Sequence, residues 1–158
     1  MTITHNNFAI STRYWVNITG AKDVAGNNLN PLPYSFYFNT ATPAPADTTP
    51  PTSSVGTLNP YQTSLTFNVP WTASDVSGIK YVELYYTTNG GTTWTKYGAT
   101  FATSPISFTA PGEGVYGFYV IATDDSPGAN REAEPTGGTN PDASTTVDTT
   151  APTADVND

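Results

Sequence analysis

The side chains best suited to chemistry in this sequence are carboxylates and amides in two short polar segments. Asp75 opens the run Asp-Val-Ser-Gly at 75–78, and Asp124 and Asp125 open a second run that ends at Asn130. Calcium prefers six to eight oxygen ligands of these types. Asp75, Asp124, Asp125 and Asn130 are therefore a candidate calcium site. The alternative is that they cap turns by bonding nearby backbone, because no loop has the spacing of an EF-hand.

Both segments follow predicted strands, and the fold decides whether they can meet. Apolar and polar residues alternate in seven short segments, and Pro, Gly and Asn mark the turns between them. These predicted strands cover residues 54–58, 65–71, 79–88, 94–97, 106–108, 115–123 and 143–147. About seven such strands predict an all-β, antiparallel Ig-like or fibronectin-III-like β-sandwich, in which the loops after the second and sixth strands emerge at the same end. We therefore expect the two acidic segments to lie close together.

Tyrosines on the third and sixth of these strands form a second candidate site. Alternation points Tyr81 and Tyr85 away from the core on one strand, and Tyr119 on the other. The two strands are neighbours in a sandwich, so we expect the three rings to form one outward aromatic face. Such rings stack on sugars or fill protein interfaces. A third interpretation is cross-strand pairing that stabilises the sheet.

The composition excludes several other classes of function. With 5 Lys and Arg against 13 Asp and Glu, and a net charge of -8, the chain lacks the basic surface that binds nucleic acid. It has no cysteine for a zinc finger, a disulfide framework or thiol catalysis. Its one histidine, His5, has no nucleophile or orienting carboxylate in its vicinity. No apolar run is long enough to span a membrane. We expect a protein that is not an enzyme.

A repeated motif divides the chain. Asp-Thr-Thr-Pro-Pro-Thr, starting at Asp47, returns as Asp-Thr-Thr-Ala-Pro-Thr, starting at Asp148, 101 residues later. That spacing is about the length of one Ig-like sandwich, and proline makes such segments semi-rigid spacers. The two aspartates flank linkers in which calcium could stiffen a tandem array. The chain then comprises the end of one domain, a linker, a sandwich and the start of the next linker, over residues 1–41, 42–53, 54–147 and 148–158.

Residues 12–40, ahead of the first linker, resemble the C-terminal end of bacterial Ig-like domains of surface-layer and adhesin-type proteins. The strings that carry the resemblance are Tyr-Trp-Val-Asn-Ile at 14–18, Lys-Asp-Val-Ala-Gly-Asn at 22–27 and Ser-Phe-Tyr-Phe at 35–38. The family domain has further strands upstream, so the resemblance implies a partial domain. Two strands alone are not stable in water, so this segment needs something to pack against.

Residues 47–148 resemble a fibronectin type III or related Ig-like module. The resemblance rests on Leu-Thr-Phe-Asn-Val-Pro-Trp at 65–71, Tyr-Val-Glu-Leu-Tyr-Tyr at 81–86 and Gly-Val-Tyr-Gly-Phe-Tyr-Val at 114–120. Within the last string Tyr116 resembles the tyrosine corner of such folds. Modules of this kind serve as spacers, adhesion units or accessory domains of extracellular enzymes.

Composition and resemblance together predict a non-catalytic structural or adhesive spacer of an exported, tandem-domain cell-surface protein. Its expected partners are neighbouring Ig-like domains of the same chain, and calcium is the candidate cofactor at the loop end. One alternative is a carbohydrate-binding accessory module of an extracellular enzyme, with a glycan on the tyrosine face. The other is a protein-interaction module that pairs with a surface protein through exposed strand edges.

Overall fold

A computed structural model describes residues 7–28, 30 and 33–153; His5 and the end of the second predicted linker lie outside them. The chain divides into two compact units, Met1–Pro45 and Ala46–Asp158. The described residues form strands and turns without a helix, and so contain no helix able to cross a membrane. The prediction of an all-β chain with antiparallel strands is confirmed.

The first unit contains one antiparallel pair of strands, β1 (Arg13–Ile18) and β2 (Tyr34–Asn39). Successive side chains of a strand point to opposite faces, and the register therefore separates two sets of side chains. The apolar face carries Tyr14, Val16, Ile18, Tyr34, Phe36 and Phe38. The polar face carries Arg13, Trp15, Asn17, Ser35, Tyr37 and Asn39.

The second unit has nine strands within its described residues: β3 (Thr52–Val55), β4 (Tyr61–Gln62), β5 (Thr66–Val69), β6 (Trp71–Ser74), β7 (Ile79–Thr87), β8 (Thr95–Phe101), β9 (Ile106–Thr109), β10 (Gly114–Asp124) and β11 (Ala143–Val147). Five form one sheet in the order β4-β11-β10-β7-β8, and the pairs β3–β6 and β5–β9 form smaller sheets. The pairs are antiparallel apart from β4 with β11, which is parallel.

Three features differ from the predicted strands. The first strand begins at Thr52 instead of residue 54, inside the segment predicted as linker, and the two-residue β4 was not predicted. The predicted strand over 65–71 is interrupted at Pro70, so that β5 pairs with β9 while β6 pairs with β3. Proline has no N–H to donate to a ladder, which explains a break at this residue.

The core of the second unit lies where the small sheets pack against the large one. The ring of Phe108 on β9 is fully buried, 4.9 Å from Phe118 on β10 and 5.3 Å from Tyr86 on β7. Phe67 on β5 also contacts Phe108 and Phe118. Val82 and Leu84, which alternation placed on the inner face of β7, belong to the same buried cluster. Two packed β layers are compatible with the predicted sandwich, and its Ig-like type stays a prediction.

The outer face of the large sheet is covered by residues 125–142, which connect β10 to β11 and are called here the covering connection. Ile121 points to this outer face and is nevertheless 1% exposed. Gly117 makes the close packing possible, because a Cβ there would lie 2.5 Å from Cγ of Pro141. The strands β7 and β10 thus have buried side chains on both faces.

Candidate functional site

The structure brings together three carboxylates from separate segments of the second unit. Asp47 precedes β3, Asp75 follows β6 and Asp124 ends β10; one oxygen from each lies within 4.8 Å of the others. Asp124 is fully buried, and the other two are half-buried. We call these three residues the acidic cluster. Sandwich topology predicted that Asp75 and Asp124 would meet, whereas the repeated motif placed Asp47 in a linker rather than in the site.

Asp47 and Asp75 each accept a hydrogen bond within their own turn, and Ser77 joins the two residues. The Ser77 N–H donates to Asp75 Oδ1 at 2.7 Å, and the Thr49 N–H donates to Asp47 Oδ1 at 3.0 Å. The Ser77 hydroxyl also donates to Asp47 Oδ2 at 2.5 Å, which joins the two segments. The turn-capping interpretation therefore describes real contacts. The same side chains cap turns and converge on one point.

Asp124 is held mainly by Asn130, another residue of the predicted site. Its Oδ1 accepts the Asn130 N–H at 2.9 Å, and its Oδ2 accepts Asn130 Nδ2 at 2.8 Å. The same Nδ2 donates to the backbone carbonyl of Asp47 at 3.1 Å. Asn130 thus supports the cluster as a donor. Asp125 is exposed, and its N–H donates to the carbonyl of Gly78 at 3.2 Å, which ties together the two loops of the predicted site.

The cluster concentrates negative charge. Burial raises the pKa of Asp124, but hydrogen bonds from Asn130 and Ser126 outweigh it, so this pKa lies below its ordinary value. The Ser77 hydroxyl, followed by the Thr49 N–H, lowers the pKa of Asp47. None of the ion pairs formed by the described residues involves the cluster. Because like charges repel at this range, the arrangement favours a cation between the carboxylates.

The donor atoms indicate which cation fits. A set of carboxylate oxygens favours hard cations over zinc or copper. Calcium takes six to eight oxygen ligands in flexible geometry, whereas magnesium demands a near-ideal octahedron and usually keeps several waters. Three carboxylates from separate segments are compatible with calcium.

The predicted tyrosine face lies partly beneath the covering connection. Tyr85 is 6% exposed, and Arg131 Nη2 donates to its hydroxyl at 3.3 Å. Tyr119 lies directly opposite Tyr85 in the register, as expected for neighbouring strands, and packs at 5.9 Å against Trp94. Tyr81 and Tyr119 are half-buried. The outward direction follows from alternation, but the cover over Tyr85 depends on a distant segment.

One buried carboxylate, that of Glu83, helps to hold this cover in place. Glu83, 6% exposed, accepts hydrogen bonds from Arg131 of the covering connection and from Lys96 of β8. Glu134 forms a further ion pair with Arg131. A carboxylate this deeply buried requires such partners. A charged residue between two apolar neighbours is also what alternation predicts for an exposed face, so the sequence of β7 contains no signal of this cover.

Comparisons with known proteins do not assign a family. No family model matches the chain, and neither a curated protein nor a solved structure is significantly similar to it. The resemblance to fibronectin type III and bacterial Ig-like modules therefore rests on the strings quoted above. Function has to be inferred from the arrangement of the side chains, since a shared fold would not determine it in any case.

Proposed function

We propose that this chain is a non-catalytic spacer module of an exported, tandem-domain cell-surface protein, built on an Ig-like sandwich and stiffened by calcium. The observation that carries the proposal is the position of Asp47. This residue opens the repeated motif, yet its side chain and backbone are bound to Ser77 and Asn130 at the loop end of the second unit. A cation held by the acidic cluster would fix the segment that enters the module.

The second copy of the motif supports the tandem arrangement. Asp148 Oδ1 accepts the Thr150 N–H at 3.1 Å, the same turn that Asp47 forms with Thr49. Glu113 holds this outgoing segment by accepting the Thr149 N–H at 2.8 Å. The module therefore binds both the segment that enters it and the segment that leaves it. A spacer needs such fixed ends, because a flexible joint would lose the spacing.

Calcium dependence of thermal unfolding tests the site in the full chain. A ligand that binds only the folded state stabilises it by about 2.7 kcal/mol at 100 times its Kd, which raises Tm by roughly 10 °C for a unit of this size. Asp75→Asn removes one charge and disturbs fewer hydrogen bonds than a change at Asp124, so it should abolish most of the rise. Asp125→Asn is the matched control and should keep it, because Asp125 is exposed and, contrary to the prediction, is not one of the three carboxylates that converge.

Two outcomes would contradict the site. One is an equal Tm in calcium and in chelator for the unmodified chain, and the other is an undiminished calcium response in Asp75→Asn. Magnesium in place of calcium should give a smaller rise, because magnesium demands near-ideal octahedral geometry and gives up its waters reluctantly.

Hydrogen exchange tests the stiffening itself. The Thr49 N–H is bonded to a member of the acidic cluster, whereas the Thr150 N–H makes the same turn with Asp148, outside that cluster. Calcium should slow exchange at Thr49 and leave Thr150 unchanged. Equal protection of the Thr49 and Thr150 amides would show that calcium does not act on the segment that enters the module, even if calcium stabilises the module.

A further inference from the structure

Two exposed aromatic rings lie on the polar face of the first unit, outside either predicted site. Trp15 is 61% exposed and Tyr37 is 50% exposed. They are direct cross-strand partners, with ring centroids 5.1 Å apart and planes inclined by 54°. Contact with a ligand would remove apolar surface of both rings from water, which is favourable.

The backbone explains why these rings are close. The Thr40 N–H donates to the carbonyl of Thr12, its direct partner across the pair. Hydrogen-bonded partners alternate with non-hydrogen-bonded ones along an antiparallel ladder, which makes Trp15 and Tyr37 a non-hydrogen-bonded pair. Side chains approach most closely at such pairs. The two rings therefore form one continuous, angled surface.

The surrounding side chains are polar and without negative charge. The Arg13 guanidinium lies 4.5 Å from the centroid of the Tyr37 ring, and its Nε donates to Asn39 Oδ1 at 3.1 Å. Asn17 and Ser35 complete the face and are exposed. Amides and hydroxyls can both donate and accept hydrogen bonds, as sugar hydroxyls do.

Charge distinguishes this unit from the rest of the chain. Residues 1–45 hold two basic residues and one acidic residue, whereas residues 46–158 hold three and twelve. The single charge on the polar face belongs to Arg13. A ligand for this face is therefore neutral or anionic.

The length of the face fits a short run of sugar rings. Six residues per strand span about 20 Å, and two strands are about 10 Å wide.

We propose that the polar face of the β1–β2 pair binds the sugar rings of a polysaccharide. Trp15 and Tyr37 stack on the C–H faces of the rings, while Arg13, Asn17 and Asn39 bond their hydroxyls. This site is distinct from the predicted face of Tyr81, Tyr85 and Tyr119, and it does not depend on the calcium proposal.

The test measures tryptophan fluorescence and calorimetric heat on titrating the full chain with cellohexaose, chitohexaose and hexagalacturonate. At least one of these should bind saturably, and Trp15→Ala should weaken that binding at least tenfold. Trp15→Phe keeps a flat ring and should restore most of the affinity. Tyr34→Ala is the matched control, because Tyr34 is 52% exposed on the apolar face of the same pair of strands.

Three results would overturn the proposal. The first is the absence of saturable binding by all three hexasaccharides at millimolar concentration. The second is an equal loss of binding in Trp15→Ala and Tyr34→Ala, which would mean that the polar face is not the site. The third is concentration-dependent self-association that Trp15→Ala abolishes without any effect on sugar binding, which would identify a protein interface.

Discussion

The two units use the same alternation of aromatic and polar residues but differ in what covers their strands. In the second unit Phe108 is fully buried by rings from four other strands. In the first unit Phe36, which lies on the apolar face of the alternating strand β2, is 43% exposed. Alternation thus determines the direction of a side chain, while burial depends on which other segments pack on that face. Substitutions in the two units can measure this difference.

The largest effect is expected for Phe108→Ala. Removal of a fully buried phenylalanine costs about 3–5 kcal/mol of unfolding free energy, since a cavity is left in addition to the lost transfer energy. Urea unfolding followed by fluorescence measures the change. Phe36→Ala in the first unit should cost less, about 1–2 kcal/mol, because 43% of the residue is already exposed. A comparable loss from Phe36→Ala would mean that its face is covered in solution.

The next largest loss of stability is expected for a substitution beneath the covering connection. Gly117→Ala places a Cβ 2.5 Å from Pro141 Cγ, so the connection has to move; overpacking of this kind costs about 1–3 kcal/mol. Gly112→Ala is the matched control, because a Cβ there meets nothing within 4 Å. Unfolding free energy and hydrogen exchange in 125–142 are the measurements. Equal stability of the two variants would contradict close packing of the connection.

Much of this fold could be predicted from the sequence. The features that could not be predicted depend on contacts between distant segments. Alternation predicted β7 and β10, and sandwich topology predicted that Asp75 and Asp124 would meet. Asp47 was assigned to a linker, because nothing local indicates where an extended segment will dock. The covering connection has no periodicity to indicate its path. Gly117 was the available signal, since an isolated glycine in a strand often marks close approach of another segment.

Strand edges in the second unit bear on the alternative of a protein-interaction module. On β8, Lys96 and the positive φ of 63° at Gly98 oppose addition of another strand. The neighbouring edge of β9 is capped by Tyr97, whose hydroxyl accepts the Thr109 N–H at 3.1 Å and donates to the Ser107 carbonyl at 3.3 Å. These features oppose the addition of another strand at the β8 and β9 edges.

The smallest expected effect is a difference in carboxyl pKa, which is raised for Asp142 in the second unit and lowered for Asp23 in the first. Desolvation raises the pKa of Asp142 in the second unit, although much of the residue is exposed and hydrogen bonds from the Val55 and Val120 backbone act against the shift. In the first unit Asn27, through its side chain and then its backbone, lowers the pKa of Asp23. Carboxyl NMR titration of the full chain should therefore give a higher midpoint for Asp142 than for Asp23.

The same shifts set opposite pH dependences of stability. A carboxyl with a raised folded-state pKa contributes stability that is present below its unfolded value, about 3.9, and is lost as pH rises through the folded value. Asp142→Asn should therefore gain stability relative to the unmodified chain as pH rises through that window. Asp23 stabilises its loop above its unfolded pKa and loses that contribution as pH falls. A midpoint for Asp142 at or below that of Asp23 would show that its carboxylate is solvated rather than held against the backbone of β3 and β10.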